Sequence, residues 1–293
     1  MLRWCLMLPH TVHMKKKLYA ALLVLTVTGI FVSARASASN SRPSAAYLGF
    51  DRNDYPGDGN LAALHKIFAF TGYWLNNPPG ESTNSWHGKR ATIERAGFGF
   101  LLLFNGRAYA ELKSMANPGA SDGTAAAQAA EAEGFRRGSV IFLDQEEGGR
   151  MFDVQKQYVF AWADAVKQAG FSPGIYCSGI EVTEPDGSLV STARDLHDFT
   201  EGRELVFWVA NDACPPSPGC AFPKVPPPPE TSGAPFAEVW QFAQSPLRSQ
   251  ITAACVASYN ADHNCYAPGT RSGQKLHLDV NVAPTPDPSR ARD

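Results

Sequence analysis

Four carboxylates fall where apolar strand patterns give way to polar residues: Asp51, Asp144, Glu146 and Asp279. The richest stretch is Ser139-Val140-Ile141-Phe142-Leu143-Asp144-Gln145-Glu146-Glu147-Gly148-Gly149, an apolar run that ends in three acids and two glycines. Asp144 and Glu146 are two residues apart, so an extended chain points both to the same face. Paired carboxylates raise each other's pKa, and one can stay protonated as an acid near neutral pH. That equipment suits the splitting of an acetal or a phosphodiester. The plainer reading is a solvated acidic loop or a cation site.

The elements around these acids alternate short apolar runs with helical patterns, the signature of βαβ units. Strands are expected at 47–51, 67–74, 98–105, 140–144, 173–177, 205–210, 237–242 and 276–280, with helices at 61–66, 88–96, 124–135, 152–169 and 193–199. The run at 140–143 does not alternate, so it reads as a strand buried on both faces. Eight such strands over about 240 residues match a (β/α)8 TIM-type barrel, whose active sites form at the carboxyl ends of the strands. The last two units show no clear helices, so their connections are expected to be irregular. A doubly wound open sheet is the alternative, but no GxGxxG or P-loop opens any helix. In a closed barrel strands one and eight are neighbours, so Asp51 and Asp279 should approach each other. Asp144 and Glu146 should lie across the mouth.

The chain has 293 residues, a formal net charge of -2 and 44% hydrophobic residues, a balance that gives no reason to invoke nucleic acid. Residues 1–38 read as a signal peptide. Lys15-Lys16-Lys17 precede an apolar run from Leu18 to Val32, and Ala36-Ser37-Ala38 offers a small-residue cleavage site. Met14 directly before the lysines is a candidate true start. The apolar run is shorter than the roughly 20 residues of a membrane span. The expectation is an exported protein, secreted or periplasmic, with no stable membrane span after cleavage. A linker at 39–46, a barrel domain at 47–283 and a disordered tail at 284–293 complete the division. Cys214 with Cys220 and Cys255 with Cys265 bracket local loops, the natural disulfide pairings outside the cytoplasm, although sequence leaves the connectivity open. Cys177 reads as a buried free thiol. No zinc-like CxxC pair is present, and neither metal nor cofactor is expected.

The strand-end motifs also resemble those of a known group. Gly49-Phe50-Asp51, Leu143-Asp144-Gln145-Glu146, Gly174-Ile175-Tyr176, Phe207-Trp208-Val209-Ala210, Val239-Trp240-Gln241 and Leu278-Asp279-Val280-Asn281 stand in the order of motifs in glycoside hydrolase family 25, the lysozyme-like muramidases. The closer likeness is to the glycoside-hydrolase-like domain of the Rv2525c type. The resemblance implies a modified (β/α)8 barrel acting on a glycan, with peptidoglycan the leading candidate. It implies Glu146 as general acid and Asp144 as its partner, orienting substrate or stabilising positive charge. Asp51 and Asp279 would tune Glu146 or hold water, and Tyr176, Trp208 and Gln241 would lie near the sugar. The extra acid Glu147 leaves the choice between Glu146 and Glu147 open.

Three functions compete. The first is an exported glycoside hydrolase cleaving a cell-wall glycan, peptidoglycan or a related polysaccharide. The second is a barrel that binds such a glycan without turning it over. The third and weakest is a metal-dependent phosphodiesterase, since clustered carboxylates also bind Mg²⁺ or Ca²⁺. Carboxyl separations near 5–5.5 Å suit retention and about 6.5–9.5 Å inversion, and two acids on one strand lean away from the wider spacing.

Overall fold

The computed structural model describes residues 46–211, 225–243, 276 and 278–292. The leader, most of the linker, His277 and the four cysteines expected in disulfides (Cys214, Cys220, Cys255 and Cys265) lie outside the described residues.

Eight strands close into a barrel. In chain order these are β1 (Tyr47–Asp51), β2 (Phe70–Trp74), β3 (Gly99–Asn105), β4 (Val140–Gln145), β5 (Ser172–Ser178), β8 (Val206–Ala210), β9 (Val239–Ala243) and β10 (Asp279–Ala283). Two further strands, β6 (Val182–Thr183) and β7 (Leu189–Val190), form a separate antiparallel ribbon. Around the barrel the order is β1-β10-β9-β8-β5-β4-β3-β2. Neighbouring barrel strands are parallel except at β10, which runs antiparallel to both β1 and β9. The α/β barrel expected from the alternating pattern is therefore present, with one strand reversed.

That reversal changes why Asp279 reaches the mouth. The expected strand at 276–280 placed Asp279 near a carboxyl end. In the structure Asp279 begins β10, and the antiparallel register pairs it with Asp51 at the end of β1. A reversed strand brings its amino end to the face where its neighbours end.

The helices are α1 (Asp58–Leu64), α2 (Arg90–Arg95), α3 (Tyr109–Leu112), α4 (Gly119–Ala132), α5 (Asp153–Gln168) and α6 (Thr192–His197). α5 buries Tyr158, Val159, Trp162, Ala163 and Val166, a helical spacing that turns one apolar stripe to the core. α4 packs close to α5 because Gly119 and Gly123 carry no side chain. A Cβ at these positions would meet the main chain of Tyr158 at 2.4 Å and of Trp162 at 2.5 Å. The core around the strands is filled by aromatic and branched residues. Phe50, Phe68 and Phe98 meet edge to face, the arrangement favoured by ring quadrupoles. Tyr73, Trp74, Trp162 and Trp240 are all buried. Cys177 is a buried free thiol whose pKa burial pushes up.

The segment after β10, read as a disordered tail from its proline and charge content, is docked through residue 292. The Phe100 and Leu102 amides of β3 donate to Asp287 Oδ1 and Ser289 Oγ, both at 2.9 Å. Ser289 also bridges the two strands through its main chain, donating to Phe100 O at 2.9 Å and accepting from Val140 N at 2.8 Å. Ser289 and Ala291 are fully buried. The tail thus fills the gap between the amino ends of β3 and β4, at the end of the barrel opposite the acids. Gly99 makes room for it, since a Cβ there would lie 2.0 Å from Pro286 O.

Candidate active site

The acids gather at one cavity of about 600 Å³, whose lining includes Asp51, Asp144, Glu146 and Asp279 together with Tyr176, Trp208 and Gln241. Strand ends supply most of these side chains, which is where a barrel of this kind builds its chemistry.

Asp51 is the best anchored. It is buried, and its Oδ1 accepts from Asn281 Nδ2 at 2.7 Å and from Gln241 Nε2 at 3.2 Å. Each donor is held in turn. Trp208 Nε1 donates to Asn281 Oδ1 at 2.9 Å, and Tyr176 OH donates to Gln241 Oε1 at 2.8 Å. A chain of hydrogen bonds therefore runs from β5 and β8 through β9 and β10 to the carboxylate on β1. Room for Asp51 comes from Gly72 on β2, where a Cβ would lie 2.7 Å from Asp51 Cβ. Burial lifts the Asp51 pKa from 3.8 to about 6, against the pull of the Asn281 and Gln241 hydrogen bonds, and the charge of Glu146 adds to the rise.

Asp144 is 4% exposed, and its Oδ1 has no hydrogen-bond partner. Burial, then the charges of Glu146 and Asp51, hold its carboxyl well above the usual range. A carboxylate with an unsatisfied oxygen in a dry setting favours its neutral, protonated form. Glu146, just past the end of β4, stays accessible to solvent from the cavity. Its carboxyl is nonetheless crowded enough that partial desolvation raises its pKa. Desolvation and the surrounding acids also push the Tyr176 hydroxyl far up, so it serves as a neutral donor.

Glu147 turns the other way. Its carboxylate accepts from Tyr109 N at 2.9 Å and from Gln155 Nε2 at 2.5 Å, on the flank of the barrel beside α3 and α5. The loop that presents Glu146 is pinned from α6. Thr192 Oγ1 donates to Glu147 O at 3.1 Å and Gly149 O at 2.8 Å, and Met151 N donates to Asp195 Oδ2 at 2.9 Å. Asp195 is itself paired with Lys156 at 3.0 Å. Of the two glutamates, then, only Glu146 lines the cavity.

Tyr176, Trp208 and Gln241 stand beside the acids as the motifs led one to expect, but they are buried and bonded to one another's partners. They form the wall that holds Asp51 rather than exposed platforms. Asn281 was missed as a site residue. Its signal lay in the alternation of β10, where Asp279 and Asn281 put polar groups on one face between Val280 and Val282. Arg52 also lines the cavity. Among the described residues no group of three or more His, Cys, Asp or Glu side chains is arranged to hold a metal ion.

The model of the family described as Rv2525c-like, glycoside hydrolase-like domain matches residues 69–212, from β2 through β8, a stretch that includes Asp144, Glu146, Tyr176 and Trp208. Among solved structures, an uncharacterised protein from B. stearothermophilus is 18% identical over 81% of this chain and 95% of its own, with a TM-score of 0.48. The Tat-secreted protein Rv2525c of Mycobacterium tuberculosis, in complex with HEPES, is 13% identical over 81% of this chain and 94% of its own, with a TM-score of 0.46. A bacterial lysozyme from Streptomyces coelicolor is 16% identical over 80% of this chain and 90% of its own, with a TM-score of 0.43. No curated protein matches. Across residues 69–212 the chain is similar to the Rv2525c-like, glycoside hydrolase-like domain, the family that its strand-end motifs resemble.

Proposed function

We propose that this protein is an exported glycoside hydrolase that cleaves a cell-wall glycan, peptidoglycan or a related polysaccharide, by carboxylate acid/base catalysis. The observation that carries the reading is the convergence of Asp51, Asp144 and Glu146 on one cavity, where burial raises the pKa of each from its ordinary value. Glycosidic cleavage needs a carboxyl that is still protonated near neutral pH to donate to the leaving oxygen. Glu146 faces the open cavity and takes that role. A sugar filling the cavity displaces water from Glu146, raises its pKa further and keeps its proton in place until the bond stretches. Once that proton has moved to the leaving oxygen, the Glu146 carboxylate remains beside the developing positive charge. Asp144 lies beneath it as the buried partner of a coupled pair. Asp51, fixed by Asn281 and Gln241, and Asp279, at the start of β10, set the field around them. Export is supported by the leader pattern of residues 1–38.

The test is reducing-end release from purified peptidoglycan and a panel of polysaccharides, with mature protein beside Glu146→Gln. Release by the wild type that disappears in the variant supports the hydrolase and names its substrate. Binding of one polymer without release from any would replace the reading with a glycan-binding barrel.

A further inference from the structure

Arg52 follows Asp51 directly and lines the same cavity as the acids. Its main chain is held firmly. Trp74 Nε1 donates to Arg52 O at 3.0 Å, and Trp86 Nε1 donates to Asn53 O at 2.7 Å, so two indoles fix the turn after β1. The side chain is only 15% exposed, yet its guanidinium has no hydrogen-bonded mate. Nε and Nη1 are buried without a partner, and Nη2 lies 3.8 Å from Asp54 Oδ2, beyond hydrogen-bond length. Asp54 is itself 64% exposed, so water screens that contact.

Other arginines of this chain behave differently. Arg107 closes a two-point bond on Asp122 at 2.6 and 3.1 Å, and Arg203 does the same on Asp164 at 2.9 and 3.1 Å. Those forks are filled by the protein. The Arg52 fork is empty, half a turn of chain from a catalytic candidate, and no hydrogen bond stops it turning into the cavity. Burial also disfavours its charge, which the neighbouring acids Asp54 and Asp279 only partly offset. A guanidinium matches a carboxylate in plane and spacing, and the pairing is strongest where water is excluded.

We propose that Arg52 makes the cavity selective for acidic glycans, receiving a carboxylate carried by the sugar ring that lies beside β1. This rests on the glycan reading above and narrows it to a substrate class. The competing role for Arg52 is a counter-charge that merely offsets the acids of the mouth. A counter-charge would serve neutral and acidic sugars alike.

The experiment uses two carboxylated polymers, each beside its carboxyl-reduced form: peptidoglycan strands stripped of stem peptides, which expose the lactyl carboxylate, and a polyuronate. Wild type, Arg52→Gln and Arg52→Lys are assayed for hydrolysis on all four, after thermal melting shows each variant folded. The expected result is a wild-type kcat/KM at least about tenfold higher on a carboxylated polymer than on its reduced form, the size of one charge-assisted hydrogen bond. Arg52→Gln should abolish that ratio, chiefly through KM, and Arg52→Lys should restore part of it. The polymer that shows the preference identifies the source of the carboxylate. Equal wild-type rates on native and reduced polymers, or an equal loss on both in Arg52→Gln, would overturn the proposal and leave the hydrolase reading standing. If no polymer is cleaved, the hydrolase reading falls, and affinities for the same four polymers decide on Arg52 by the same ratio.

Discussion

Asp51 and Asn281 meet across the antiparallel seam between β1 and β10, with Asn281 Nδ2 donating to Asp51 Oδ1 at 2.7 Å. The bond joins a carboxylate near the start of the chain to an amide near its end. Asn281→Ala should remove the stronger of two donors that favour the charged form of Asp51, so the Asp51 pKa should rise above its value of about 6. The acidic limb of a pH–rate profile should move to higher pH, and stability should fall by about 1–3 kcal/mol as Trp208 Nε1 loses its acceptor. A profile that stays in place would show that Asp51 does not govern that limb.

Glu146 and its neighbour should separate cleanly. Glu146→Gln should cut hydrolysis by about 10²- to 10⁴-fold, the usual worth of a positioned acid. Glu147→Gln, whose side chain answers Tyr109 and Gln155 on the flank, should cost less than about tenfold and act through loop placement. Comparable losses in the two variants would overturn the assignment to Glu146. Steady-state rates on one soluble glycan suffice to decide.

Asp51 should also make the protein less stable as the medium becomes less acidic. An acid whose pKa is higher folded than unfolded holds its proton more tightly when folded. Its contribution is full below the unfolded value of 3.8 and is lost as pH rises through about 6. The whole shift corresponds to about 3 kcal/mol, and the raised pKa of Asp144 acts in the same sense. Asp51→Asn removes the ionisation and keeps an acceptor for Asn281. Its Tm at pH 8 should exceed that of the wild type, with a shallower decline between pH 4 and pH 8, while hydrolysis falls. A lower Tm at pH 8 would show that the charged form is better accommodated than its burial suggests.

At the other end of the barrel, Asp287→Ala should destabilise without touching catalysis. Phe100 N and Arg292 N both lose their acceptor, an effect of about 1–3 kcal/mol for a buried donor left unpaired. Chemical denaturation should show the loss, and kcat/KM should stay within about twofold because the tail docks opposite the cavity.

Much of this arrangement is legible in the sequence, and the exceptions have physical causes. The parallel strands stand out because runs such as Leu101-Leu102-Leu103-Phe104 and Val140-Ile141-Phe142-Leu143 are buried on both faces and need no polar alternation. α5 is legible from its apolar spacing. The direction of β10 is not, since the residues of a strand do not encode which way it runs beside its neighbours. Period-two alternation puts Asp144 and Glu146 on one face, and both line the cavity, whereas the place of Glu147, past the end of β4, was left open by the sequence and comes from its bonds to Tyr109 and Gln155. The tail misled because prolines and charges usually mark a chain that cannot bury itself. Here Asp287 and Ser289 bury by capping the open amides of β3, a contact between residues nearly two hundred positions apart. Tyr176, Trp208 and Gln241 were readable as neighbours of the acids, but not as links in one chain of hydrogen bonds.

The tail that bridges β3 and β4 bears on how the molecule is made. β1 lacks its β10 neighbour, and the amides of Phe100, Leu102 and Val140 lack theirs, until residues 279–292 have been synthesised. While the ribosome still holds that stretch, the nascent barrel is an open curved sheet with two exposed edges and an unplugged floor. Pairings this distant along the chain are slow to form and leave edges open to aggregation meanwhile. Closure therefore waits until residues 279–292 are free to pair, and a holding chaperone would find its natural footing on those two edges.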